Sequence, residues 1–259
     1  MVNRIFLDID GTLTNSENII IPEARNLVDA LISSNNKIYI STGRSYLEAK
    51  EVINELSIEP QGIYLDGNLV FWSSDNYLWS GHYLDDHLRF NELLLNNVLV
   101  IETLEFYYCR SVKEKLLFCS TFKVKRENII VLNEDLFIEI HSIQRIFIYS
   151  HNIKEKNIRN IQISGCYYQS IGNWKVINSK AVGKGLGIKY FLHDKVGDNI
   201  ISIGNDLNDI SMFKVSDLSI LVNSNNISIK NQVDFSFEHI NLESVEKIIE
   251  IIQFFEKMK

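Results

Sequence analysis

Phe6-Leu7-Asp8-Ile9-Asp10-Gly11-Thr12-Leu13 is the stretch that decides the fold of this 259-residue chain. Residues 4–9 form a short apolar run that ends in acids, the pattern of a buried strand running into a turn. Two acids two residues apart on an extended strand point the same way, about 6–7 Å apart. Gly11 then lets the chain bend sharply. Such a pair repels unless a cation sits between the carboxylates or one of them is protonated. A hard ion such as Mg²⁺ suits carboxylate and water oxygens. The alternative is an acidic strand-to-turn junction with no ligand, since Asp and Gly are common in turns. The D-x-D-G-T pattern fixes four positions and arises by chance about once in several hundred chains of this length, which weighs against that alternative.

Outward from this stretch, Ala24, Leu27, Val28, Leu31 and Ile32 fall on one helix face after Pro22, and Asn35-Asn36 suits the helix end. Residues 37–41 read as a strand, Thr42-Gly43-Arg44 as a turn, and residues 45–56 as a helix. Ser45 followed by Glu48 predicts a capping box at its start. Residues 62–65 give a third strand. Strands alternating with helices predict a doubly wound parallel sheet covered on both faces.

The pattern changes after about residue 78. Strands at 98–101, 105–108, 129–132, 143–149, 161–163 and 174–177 lie closer together, which predicts an α+β insertion with an antiparallel sheet. Alternation then resumes. Helices are expected at 182–192 and 208–213, and strands at 199–203, 217–222 and 234–237. Leu242, Val245, Ile249 and Ile252 line a C-terminal helix. Residues 1–80 and 182–259 therefore read as one α/β domain, interrupted by a second domain at 81–181.

Lys and Arg number 26 against 33 Asp and Glu, for a net charge of −7. No general basic field exists for nucleic acid or an anionic membrane. A small anionic substrate would need local cations or a metal ion. No apolar run approaches the roughly 18 residues that span a bilayer, and the one at the N-terminus falls short of the roughly 7–15 residues of a signal-peptide core. These features predict a soluble, cytoplasmic protein. Cys109, Cys119 and Cys166 are odd in number with no C-x-x-C pair, and read as buried or incidental thiols.

The opening stretch resembles the first motif of the haloacid dehalogenase-like (HAD) phosphohydrolases, and the likeness extends over nearly the whole chain. It implies a Rossmann-like core with an inserted α+β cap domain. In that motif the first acid, Asp8 here, is the nucleophile that becomes an aspartyl-phosphate. The second, Asp10, is general acid and then general base. Ile40-Ser41-Thr42-Gly43-Arg44-Ser45 resembles the second motif, in which Thr42 and the following backbone N–H hold phosphoryl oxygens. The third motif supplies a cation, with Lys180 and Lys184 as candidates. Val182-Gly183-Lys184-Gly185-Leu186 resembles the start of the post-cap helix in Cof-type members, which favours Lys184. Ile203-Gly204-Asn205-Asp206-Leu207-Asn208-Asp209 resembles the fourth motif, with Asn205 in place of the usual metal-binding Asp. An amide oxygen can coordinate Mg²⁺ but brings no charge. Asp206 and Asp209 are close enough in sequence to compensate. Asp66 stands where Cof-type members have Asn, and reads either as a residue facing the site or as a simple turn.

The resemblance thus implies a Mg²⁺-dependent phosphatase acting on a small phosphorylated metabolite, a sugar phosphate by family analogy, through an aspartyl-phosphate. Asp8, Asp10, Thr42 and Lys184 are the expected catalytic residues. Thr42, Gly43, Arg44, Lys184 and Asn208 are expected to bind substrate, and Asp8, Asp10, Asn205 and Asp209 the metal. The alternatives are a phosphomutase using the same chemistry, or a non-catalytic phosphometabolite-binding protein, the latter suggested by Asn205 and Asp66.

Overall fold

Every residue of the first strand, β1 (Asn3–Leu7), is buried, as expected of a parallel strand covered on both faces. The computed structural model describes residues 2–34, 36–72, 78–80, 84, 98–122, 124–133, 140–149, 166–179, 182–192 and 197–258. The chain divides into two compact units, Met1–Gly81 with Val182–Lys259, and His82–Ala181.

In the first unit β1 is followed by α1 (Pro22–Ser33), β2 (Lys37–Ser41), α2 (Tyr46–Glu55) and β3 (Gly62–Tyr64). Pro22 opens α1, where its missing N–H costs nothing. Ser45 and Glu48 form the expected capping box at α2. Two short strands then extend the sheet, β4 (Leu69–Phe71) antiparallel to β3 and β5 (Leu78–Ser80) antiparallel to β4. The sheet is therefore mixed at this edge, a feature the alternation of strands and helices did not announce.

After the second unit the chain returns through α4 (Lys184–Phe191), β12 (Asn199–Gly204), α5 (Ile210–Phe213), β13 (Leu218–Val222), α6 (Ile227–Lys230), β14 (Phe235–Phe237) and α7 (Leu242–Met258). The sheet order is β14-β13-β12-β1-β2-β3-β4-β5, parallel from β14 to β3. One face is closed by Phe6, Tyr39 and Leu221 against Ile188 and Phe191 of α4 and Met212 and Phe213 of α5. α1 and α7 pack together. The chain winds one way from β1 through β2 and the other way from β12 through β13. The reversal places a crevice outside the carboxyl ends of β1 and β12, where ligands bind in such sheets.

The second unit carries a six-stranded sheet of order β10-β11-β9-β6-β7-β8. Its strands are β6 (Val98–Glu102), β7 (Tyr107–Cys109), β8 (Ile129–Val131), β9 (Arg145–Tyr149), β10 (Cys166–Ile171) and β11 (Trp174–Ser179). All pairs are antiparallel except β7 with β8. α3 (Val112–Phe122) sends Phe118 and Phe122 against Phe147 and Trp174. The strand expected at 161–163 lies outside the described residues, as do Lys180 and Asn35. No described helix is long and apolar enough to cross a membrane.

Candidate active site

Four parallel strands end side by side, and each delivers a loop to the crevice. Asp8 follows β1, Thr42 follows β2, Leu65-Asp66-Gly67 follows β3 and Asn205 follows β12. The parallel registers Leu7↔Ile203 and Leu7↔Ile40 bring the first, second and fourth of these level. Asp8 continues the β12 ladder by donating its N–H to the Ile203 carbonyl at 3.0 Å.

Asp8 and Lys184, 176 residues apart, meet in the interior. The Lys184 ammonium donates to Asp8 Oδ1 and to Asp209 Oδ1, each at 2.6 Å, and all three side chains are buried. Asp8 Oδ2 has no hydrogen-bond partner among the described residues. Two buried carboxylates share one cation, so the cluster carries an excess negative charge when both are ionised. Burial pushes the Asp8 carboxyl up from its ordinary value to about 7; Lys184 pulls it down, and Asp209 adds to the rise. Burial alone would lower Lys184, but the two carboxylates hold its ammonium above the usual lysine value.

Asp209 is put to a use that its position in the sequence did not announce. Its Oδ2 accepts the backbone N–H groups of Asn205 and Asp206, at 2.8 and 3.1 Å, while Oδ1 takes Lys184. Both oxygens are thus engaged in shaping the loop and fixing the lysine. Gly204 makes this possible: a Cβ there would lie 2.5 Å from Asp209 Oδ2.

Asp10 has the opposite surroundings. Its side chain is 63% exposed, and Arg44 grips both carboxylate oxygens in a fork, Nε to Oδ2 at 2.9 Å and Nη2 to Oδ1 at 2.6 Å. Arg44 also donates to Asn18. Gly11, at φ +79°, turns the chain between the two acids and Asn205. A Cβ on Gly11 would fall 2.1 Å from Asn205 Nδ2. Asn205 Oδ1 accepts from Thr12 Oγ1 at 3.3 Å.

Thr42 is fully buried, and its hydroxyl oxygen accepts the Arg44 N–H at 3.1 Å, which leaves its own O–H free to donate. The Gly43 N–H has no partner among the described residues. The two donors sit on consecutive residues at the end of β2, a ready cradle for an anionic oxygen. Asn208 gives its amide N–H to Asp66 at 3.2 Å.

Two supports escaped the sequence reading. Asn223, in the left-handed region just after β13, donates to the Gly11 carbonyl at 2.9 Å. Ser211 accepts the Gly185 N–H at 3.2 Å and so anchors the start of α4. Their one signal in the sequence is position, at a strand end and in the fourth loop.

No group of three or more His, Cys, Asp or Glu side chains among the described residues is arranged to hold a metal ion. The hard oxygen donors on hand are Asp8 Oδ2 and the Asn205 amide oxygen. They suit Mg²⁺ by type, and a cation beside Asp8 would offset the excess negative charge there.

The family description "haloacid dehalogenase-like hydrolase" matches residues 5–249. A Mycoplasma capricolum protein is 25% identical over 93% of this chain and 98% of its own length. A Buchnera aphidicola protein, named provisionally as a phosphatase, is 24% identical over 83% of each chain. Among solved structures, a haloacid dehalogenase-like hydrolase from Bacteroides thetaiotaomicron superposes with a TM-score of 0.72 at 18% identity, covering 96% of this chain and all of that one. A Thermotoga maritima protein gives 0.72 at 17%, covering 96% and 97%.

Proposed function

Because the chain belongs to the haloacid dehalogenase-like hydrolases, we propose that it is a Mg²⁺-dependent phosphatase of small phosphorylated metabolites, working through an aspartyl-phosphate on Asp8. The observation that carries this reading is the buried Asp8–Lys184–Asp209 cluster set against the Thr42 and Gly43 donors. A nucleophilic carboxylate, a fixed cation and two free donors on adjoining strand ends meet the needs of phosphoryl transfer.

Asp8 attacks phosphorus, forming an O–P bond as the bond from phosphorus to the leaving oxygen breaks. Asp10, protonated from solvent once it parts from Arg44, gives that oxygen its proton. Thr42 O–H, Gly43 N–H and Lys184 hold the phosphoryl oxygens throughout. Asp10 then takes a proton from water, which attacks phosphorus and returns Asp8 as a carboxylate with release of inorganic phosphate. Arg44 holds Asp10 by a two-pronged contact on the exposed side of the carboxylate, and that contact must open for Asp10 to exchange a proton. Asp209 positions Lys184. Asp8 and Asn205 would hold Mg²⁺, with Asp10 contributing from the same loop; the ion supplies positive charge against the transferring group. The inserted unit serves as the cap that selects the leaving group, and a sugar phosphate is the proposed substrate.

The test is phosphate release across a panel of phosphorylated metabolites, with and without Mg²⁺. Release that requires Mg²⁺ is expected. Binding of sugar phosphates without any release would favour the non-catalytic alternative, which Asn205 motivates. A sugar phosphate isomer appearing before free phosphate would mark a mutase.

A further inference from the structure

Asp66 ties together three loops of the site. Its N–H donates to the Thr42 carbonyl at 3.1 Å, and its own carbonyl accepts the Gly183 N–H at 2.8 Å, one residue before Lys184. Its carboxylate accepts from Asn208 at 3.2 Å. The two carboxylate oxygens lie 3.1–3.2 Å from where a Cβ on Gly43 would be, against the same loop that offers the free N–H. Asp66 makes no ion pair among the described residues.

The backbone does not explain the acid. Leu65, Asp66 and Gly67 all have positive φ, at +51°, +50° and +98°. Asn adopts this conformation at least as readily as Asp, and an Asn side-chain oxygen would accept from Asn208 equally well. What only Asp adds is a negative charge beside the cradle for an anion, together with a strict demand for a donor. A carboxylate can only accept here, so Asn208 must turn its NH₂ to Asp66 and its oxygen away.

Resting on the phosphatase reading, we propose that Asp66 is a positioning residue that sets how weakly this site holds phosphate. Its charge opposes the bound phosphoryl dianion, which speeds the departure of inorganic phosphate, and its oxygen fixes the orientation of Asn208. The residue thus trades substrate affinity for product release.

The test compares the parent with Asp66→Asn and Asp66→Ala in Mg²⁺ buffer, by calorimetric titration with inorganic phosphate and by steady-state kinetics. Asp66→Asn should bind phosphate about tenfold more tightly, as expected for removing one charge several ångströms away in a partly screened site. Its KM should fall in step, and the gain should shrink as salt is raised. Asp66→Ala should also bind phosphate more tightly but slow the rate of a single turnover, which excludes phosphate release, since Asn208 is no longer oriented, and Asp66→Asn should restore that rate. If the parent turns substrate over and Asp66→Asn matches its phosphate affinity and KM within twofold, the charge has no such role and the proposal falls alone. If Asp66→Ala only weakens phosphate, Asp66 is a structural turn and the proposal again falls. If the parent neither binds phosphate nor releases it from any metabolite, the phosphatase reading falls and takes this one with it.

Discussion

β1 carries a buried ion cluster at each end, and the two are built to opposite specifications. At its start, Arg4 donates through Nε to Asp198 at 2.7 Å and through Nη1 to the Tyr39 hydroxyl at 2.7 Å. One cation meets one anion, and Asp198 stays partly open to water. At its far end, Lys184 faces two carboxylates in full burial, and one Asp8 oxygen has no hydrogen-bond partner among the described residues. The first cluster is balanced and serves the fold. The second is left one positive charge short, an imbalance that a cation or a phosphoryl group could use. The same strand thus separates stability from chemistry along its length, as the rule that parallel sheets bind at their carboxyl ends requires.

The largest effect expected on this contrast comes from Asp8→Asn. The amide is nearly the same shape but a very poor nucleophile, so turnover should fall by at least about 10⁴-fold. Stability should move the other way. Burial raises Asp8 to about 7 in the folded state, above its unfolded value of 3.8. The native state therefore holds this proton more tightly, and the stability it contributes is present below pH 3.8 and lost as pH rises through 7. In EDTA at pH 8, Asp8→Asn should melt above the parent, an advantage that fades toward pH 4. A melting series across pH checks both the sign and the window.

Lys184→Ala should destabilise the first unit by about 3–5 kcal/mol, because it leaves two buried carboxylates with no counter-charge. Denaturant titration measures it. Asp198→Asn, at the opposite end of β1, should cost about 2 kcal/mol by weakening a charged hydrogen bond to buried Arg4, and should leave kcat unchanged. Its pH dependence has the reverse sign to that of Asp8. Although its partial burial works the other way, the bonds from Arg4 hold the Asp198 carboxyl below its ordinary value. That stability is present above the unfolded pKa and lost as pH falls through the folded one. A smaller effect is expected from Asn205→Asp, which adds a charge beside Gly11 and Thr12 in the Asp8 loop and should lower the Mg²⁺ concentration for half-maximal activity several-fold.

What could be read from the sequence follows the same division. The doubly wound sheet was legible because alternating strands and helices repeat around it, and because Ser45 and Glu48 mark the start of α2 through local bonds. Asp8 stood out as the first of two acids at a strand end, whereas Thr42 and Lys184 were singled out by the order of motifs in the family resemblance. The use made of Asp209 was not legible. A sequence shows a carboxylate, while the two N–H groups aimed at it come from a loop whose shape depends on Gly204. The Asp10–Arg44 fork was hidden for a similar reason, since it joins two loops brought together only by the sheet. In the second unit α3 has no clean apolar stripe: its buried positions include Glu114, which accepts the Arg110 N–H at 2.7 Å. β10 is almost wholly exposed, so no alternation marks it.

The central claim, that Asp8 carries the phosphoryl group, is tested most directly in the Asp10→Asn variant. This change spares the attacking carboxylate but removes the base that would activate water. Mixed with a substrate that the parent hydrolyses, quenched in acid, digested and examined by mass spectrometry, the variant should carry one added phosphoryl group on the peptide containing Asp8. A phosphoryl group on any other peptide, or full turnover by Asp10→Asn with none on Asp8, would contradict the account.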